Sequence, residues 1–228
     1  MDTTIISIVL GGIITIVTVI FVENLRKPKL ELAIADPHDK EYGDEHPARK
    51  SVGVWKVRYL GISLVNKSPS WWFKWISRNA ALQCRGFITF HHLDGQNVFG
   101  RAMPVRWSYT PEPIPIVGII DNKQIYIFDP AKLTLESRVD VYPGESQRLD
   151  VGARFNNEDE CYGWNNENYI SVPQWRNPSW KLSHKRYLIK VTVVSSGDKC
   201  TKIFRLINDV SQNDFRIESA LATDVVRE

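Results

Sequence analysis

The chain has 228 residues, a formal charge of +3, 24% charged and 43% hydrophobic side chains, and eight Trp, eight Tyr and nine Phe. That composition supports a real core and excludes wholesale disorder, while interspersed charges with so small an excess give no warrant for nucleic-acid binding. Cys84, Cys161 and Cys200 form no C-x-x-C pair, which argues against a disulfide scaffold or a zinc ribbon and fits a reducing compartment.

Residues 3–22 carry no charge and lie between Asp2 and Glu23. About 20 residues at about 1.5 Å each match the roughly 30 Å hydrocarbon layer of a bilayer. The run is rich in Ile and Val, yet in lipid only a helix satisfies every backbone group within one segment. An acidic start, a long run and the poor cleavage sequence Phe21-Val22-Glu23-Asn24 predict a retained anchor rather than a signal peptide. Arg26, Lys27 and Lys29 follow the span, and the head before it has no Lys or Arg. The positive-inside rule then predicts an outside N-terminus and a cytoplasmic C-terminal domain. The expected division is an anchor over residues 1–23, a basic linker over 24–28 and one folded domain over 29–228. Within the span Ser7, Gly11 and Thr15 recur every four residues, a spacing that predicts close helix–helix contact and homo-oligomers.

Beyond the anchor, residues 29–35 alternate and predict a strand, and the charged, Pro-containing residues 36–51 predict a solvated loop. Residues 54–65 predict a strong strand, with Trp55, Val57 and Tyr59 on one face, and Leu60, Ile62 and Leu64 suggest a register change near Gly61. Residues 80–90 predict a strand running into the hairpin turn signal Asp94-Gly95, with a return strand over 98–107. Residues 110–115 hold three prolines and predict a rigid connector. Further strands are expected over 124–128, 146–155, 186–194, 200–207 and 215–219.

About nine strands separated by turns predict an all-β fold, an antiparallel β-sandwich behind one transmembrane helix. The architecture loosely resembles immunoglobulin-like sandwiches. The resemblance does not extend to their disulfide, since the first Trp after Cys84 is the distant Trp107 and Asp159 stands two residues before Cys161.

The richest candidate contact segment is Trp71, Trp72, Phe73 and Trp75 with Lys74 and Arg78 nearby. Trp rings favour the headgroup zone, so the segment predicts bilayer or partner contact, against a competing role in the core. Arg85 and Arg106, with Arg78 and Arg101, suggest an anionic-ligand site, against outward strand positions. The acidic residues 156–167 suggest calcium ligands, but their spacing is not that of an EF-hand and a solvated loop is the simpler account. His91 and His92 point to opposite faces of a strand and do not clamp one ion. Trp164, Trp175 and Trp180 could stack on sugars if the domain lay outside the cell.

No phosphate loop, nucleophile elbow, H-E-x-x-H or G-x-G-x-x-G occurs. The expectation is therefore a non-enzymatic, membrane-tethered interaction or ligand-sensing module with no cofactor. Its expected partners are the bilayer, itself, and an unidentified protein or small molecule. The alternatives are an extracytoplasmic carbohydrate-binding module, or a sensor whose ligand clusters the membrane helices.

Overall fold

The computed structural model describes residues 3–42, 55–73, 77–121, 123–132, 138–171 and 175–227. Within them the chain is mostly β, in antiparallel sheets, behind one N-terminal apolar helix. That helix, α1 (Thr3–Arg26), runs about one turn past the uncharged stretch and ends on Arg26, a cation suited to the negative end of the helix dipole. It is long and apolar enough to cross a bilayer, and none of its most apolar window is covered by the rest of the protein.

The first sheet holds β1 (Leu30–Ile34), β2 (His38–Tyr42), β3 (Trp55–Asn66), and then the second sheet begins with β4 (Ala81–His91) and β5 (Met103–Pro104). Next come β6 (Arg106–Trp107), in the first sheet, and the separate hairpin β7 (Ile116–Ile120) and β8 (Lys123–Ile127). After β9 (Val139–Val141), which pairs with β4, the chain returns to the first sheet with β10 (Ser146–Phe155) and β11 (Cys161–Gly163). Helix α2 (Asn166–Ile170) leads to β12 (Lys181–Leu182) on the first sheet. The hairpin β13 (Arg186–Val194) and β14 (Lys199–Ile207), followed by β15 (Arg216–Ser219), completes the second. The sheet orders are β1-β3-β10-β11-β12 and β15-β14-β13-β4-β5.

Alternation fixes what each face buries. Leu32, Ile62, Leu64, Leu149 and Val151 of the first sheet join Ile88, Phe90, Ile189, Val191 and Phe204 of the second in one core. A second core lies on the opposite face of the first sheet, where Trp55, Val57 and Tyr59 meet Phe155, Trp164, Tyr169 and Trp175. Strand β3 serves both. Its buried set changes face between Tyr59 and Leu60, opposite a bulge between Asp150 and Gly152, which is the register change expected near Gly61.

Several expectations need correction. Residues 38–42, read as loop, form the edge strand β2, whose charged pattern suits an edge and whose Tyr42 alone is buried; residues 43–51 lie outside the described residues. The Asp94-Gly95 turn is present, with Gly95 at a φ of 90°. Its return arm is not one strand over 98–107, because Asn97 folds the chain back by accepting from the Phe99 and Gly100 amides, leaving only β5 and β6. Strand β7 was missed because it follows a Pro-rich stretch. The described residues carry fifteen strand segments rather than about nine, the additions being mostly two or three residues long.

Candidate functional site

Antiparallel pairing gathers one set of strand ends where α1 enters the domain. Leu30 stands opposite Asn66, Ser146 opposite Val65, Ala81 opposite Val141, and Val194 opposite both Arg85 and Lys199. The hub of this end is Asn66, a fully buried amide. Its Oδ1 accepts from the Lys29 amide at 3.2 Å, and its Nδ2 donates to the carbonyls of Asn79 at 3.1 Å and Val141 at 3.0 Å. Its backbone accepts from the Gly144 amide at 2.7 Å and donates to the Glu145 carbonyl at 3.2 Å. The Lys67 amide donates to the Lys29 carbonyl at 2.9 Å, and the Asn79 amide donates to the Arg26 carbonyl at 2.7 Å. The last turn of α1 is therefore bonded directly to the loop that leaves β3 and returns to β4.

That loop carries Trp71 and Trp72 on a 3₁₀ turn, Trp71–Phe73. The two indoles are 63% and 68% exposed and lie on each other, with centroids 3.7 Å apart. Neither belongs to the core. Trp75 and Lys74 lie outside the described residues. More apolar surface appears at the same end. Tyr142 opens a turn in which Pro143 precedes Gly144 at a φ of 86°, closed by the Glu145 amide on the Tyr142 carbonyl. Leu82, whose carbonyl receives the Ser196 amide, is exposed, as are Tyr142 and Val194. Charged groups share this end: Lys27, Lys29 and Glu145 are exposed, Lys67 pairs with Glu31, and Arg78 donates to the Lys67 carbonyl at 3.0 Å. Sequence reading missed Asn66, Leu82 and Tyr142; for Tyr142 the Pro-Gly turn that presents it was a legible signal.

The remaining candidates are placed differently. Arg106 is buried on β6, paired with Asp150 at 3.1 Å and bonded to the Trp107 and Thr110 carbonyls, with Ser108 donating to Asp150 at 2.6 Å. Arg85 is half-buried on β4, and the Gly86 carbonyl next to it accepts at 3.0 Å from the amide of Val105, the residue before Arg106. In the anchor, Thr15 donates its hydroxyl to the Gly11 carbonyl at 2.9 Å, and a Cβ added at Gly11 would meet nothing.

The acidic stretch 156–167 is committed to ion pairs and hydrogen bonds. Glu158 pairs with Arg176 at 2.6 Å, Glu160 with Lys181 at 2.7 Å, Asp159 with Arg154 at 3.6 Å, and Glu167 accepts from the Trp180 indole at 2.6 Å. Asn165 caps α2 within this stretch. Among the described residues no group of three or more His, Cys, Asp or Glu side chains converges for a metal. His91 is buried between the Gly95 carbonyl and the Thr89 hydroxyl, and burial lowers its pKa. Trp164, Trp175 and Trp180 are buried and offer no platform for a sugar. Burial pushes the Cys84 thiol up to about 11 and the Cys161 thiol higher, so neither is an activated nucleophile. Compared with known families, curated proteins and solved structures, the chain matches none.

Proposed function

We propose that this protein is a non-enzymatic, membrane-tethered interaction or ligand-sensing module, an immunoglobulin-like sandwich held on the cytoplasmic face with its anchor-side end seated on lipid headgroups. The observation that carries the reading is the exposed Trp71–Trp72 pair on a loop bonded to the last turn of α1. Indole rings partition to the headgroup layer, and cations beside them favour an anionic surface. The Asn66 bonds support a fixed stance rather than a domain on a free tether. Cytoplasmic orientation follows from Arg26, Lys27 and Lys29.

A photo-crosslinking residue at position 71 or 72 of the full chain, in vesicles of phosphatidylcholine and phosphatidylglycerol, tests the seating. Crosslinks to lipid are expected from both positions and none from position 93, exposed at the turn beyond the far end of β4. Lipid labelling no greater at 71 and 72 than at 93 contradicts it. Protease added to intact cells is expected to spare the domain, and cleavage there would reverse the orientation.

A further inference from the structure

A polar depression of about 480 Å³ opens on the flank of the domain near its anchor-side end, lined by Gln83, Tyr109, Arg138, Val139, Asp140 and Gln147. Gln83 stands two residues from Ala81, which pairs with Val141, and Gln147 pairs with Leu64, two residues from Asn66. At about 3.3 Å per residue the depression begins only about 7 Å along the strands from the Asn66 hub.

Its walls are interlocked. Gln83 sits in a bulge of β4 with a φ of 55°, its amide donates to Asp140 Oδ1 at 2.7 Å, and its side-chain oxygen accepts from Arg138 Nη1 at 3.2 Å. The Tyr109 hydroxyl donates to the Arg138 carbonyl at 3.0 Å, which holds that exposed ring at the rim. Arg138 and Asp140 are two residues apart, so both project to one face of extended chain, about 7 Å from each other. Among the described residues neither takes part in an ion pair, although the arginines of a second depression, Arg58 and Arg216, are paired with Asp39 and Glu218. A site that holds one unmatched cation, one unmatched anion, an aromatic face and two amides matches a small molecule carrying both charges.

We infer that this depression binds a phosphate ester bearing an ammonium group, with the phosphate on Arg138 and the ammonium between Asp140 and the Tyr109 ring. Guanidinium suits phosphate, and a cation is held by a carboxylate beside an aromatic face. The ligand is either the headgroup of an aminophospholipid or a soluble phosphate of the same kind. The lipid source rests on the membrane-seated reading above; the chemistry of the site does not.

The full chain in nanodiscs of phosphatidylglycerol, whose headgroup has no ammonium, would be titrated calorimetrically with phosphoethanolamine. Saturable binding is expected, with glycerol phosphate and ethanolamine each at least tenfold weaker. Arg138→Gln and Asp140→Asn should each weaken binding at least tenfold with an unchanged melting temperature, since the side-chain oxygen that Asp140→Asn retains still accepts from the Gln83 amide. Nanodiscs that also contain phosphatidylethanolamine separate the sources by native mass spectrometry. Retention of that lipid by the parent but not by Asp140→Asn assigns a headgroup, and soluble binding without retention assigns a free ligand. No saturable binding of phosphoethanolamine, or equal binding of glycerol phosphate that Asp140→Asn leaves unchanged, overturns the inference. Trp71 and Trp72 play no part in the soluble titration, so failure there is distinguishable from failure of membrane seating.

Discussion

Asn66 spends its side-chain oxygen and both amide hydrogens on three different segments, at Lys29, Asn79 and Val141. Replacing it with Leu removes the partner of the buried Val141 carbonyl and of the part-buried Lys29 amide and Asn79 carbonyl, at about 1–3 kcal/mol for each group fully denied water. Asn66→Leu should therefore destabilise the domain by about 3 kcal/mol in a denaturant titration. A loss under about 0.5 kcal/mol would mean that water replaces the amide and that the hub is not structural. The tryptophans divide sharply on the same assay. Trp71→Ala and Trp72→Ala should each stay within about 0.5 kcal/mol of the parent, as exposed positions do. Trp164→Ala, from the centre of the second core, should cost about 3–5 kcal/mol. At the buried pair, Arg106→Met alone should cost about 3–5 kcal/mol because it strands Asp150, and adding Asp150→Leu should recover part of that loss.

At the scale of elements, long strands were legible because each pairs a hydrophobic period with a turn signal. β3, β10, β13 and β14 lie close to their expected bounds, and the change of face in β3 was visible as adjacent apolar residues, Tyr59 and Leu60. Short elements were not legible, since β5, β6, β11 and β12 are two or three residues whose pairing is imposed by neighbours distant in sequence. Helix α2 hid for another reason. Its polar residues read as solvated, whereas Asn165, Asn166 and Asn168 are buried, and the side-chain oxygens of Asn165 and Asn168 accept from the Glu167 and Asn165 amides to cap a helix of a single turn and a half. The Trp71–Trp72 segment was legible as a contact candidate, but its exposure, and the bond from Asn79 of the same loop to Arg26, depend on long-range pairing that no local pattern encodes.

The C-terminal tail is also held by distant partners. Asp224 accepts from Arg205 at 2.6 and 2.7 Å and from the Leu221 amide, and the Arg227 amide donates to the Gly95 carbonyl. Arg205 holds the Asp224 carboxyl below its usual 3.8. A depressed carboxyl contributes stability above its unfolded value and loses it as pH falls through the folded value. Amide exchange over residues 221–227 should therefore accelerate as pH drops below 3.8, after correction for intrinsic rates. Asp224→Asn should show fast exchange at neutral pH and no such step. A parent tail whose corrected exchange is flat with pH would contradict this account.

For the molecule as a whole, the fold turns an apolar helix and two sheets into a body with distinct ends. The anchor-side end carries exposed Trp71, Trp72, Tyr142 and Leu82 among charged groups, while the aromatic core of Trp55, Phe155 and Trp175 closes the other half of the first sheet. In the proposed seating, the bond from Asn79 to Arg26 at the end of α1, with those from Asn66 and Lys67 to Lys29 just after it, makes the height of that end above the bilayer a property of the fold. Depth-dependent quenching measures it most directly. The full chain and its Trp71→Phe/Trp72→Phe variant would be placed in vesicles whose lipids carry bromine at the headgroup end of the acyl chain. The account predicts that the fluorescence contributed by these two rings, taken as parent minus variant, is strongly quenched by the brominated lipid and weakly by aqueous iodide. Strong quenching by iodide with none from the brominated lipid would place the pair in water and contradict the seating of this domain on the membrane.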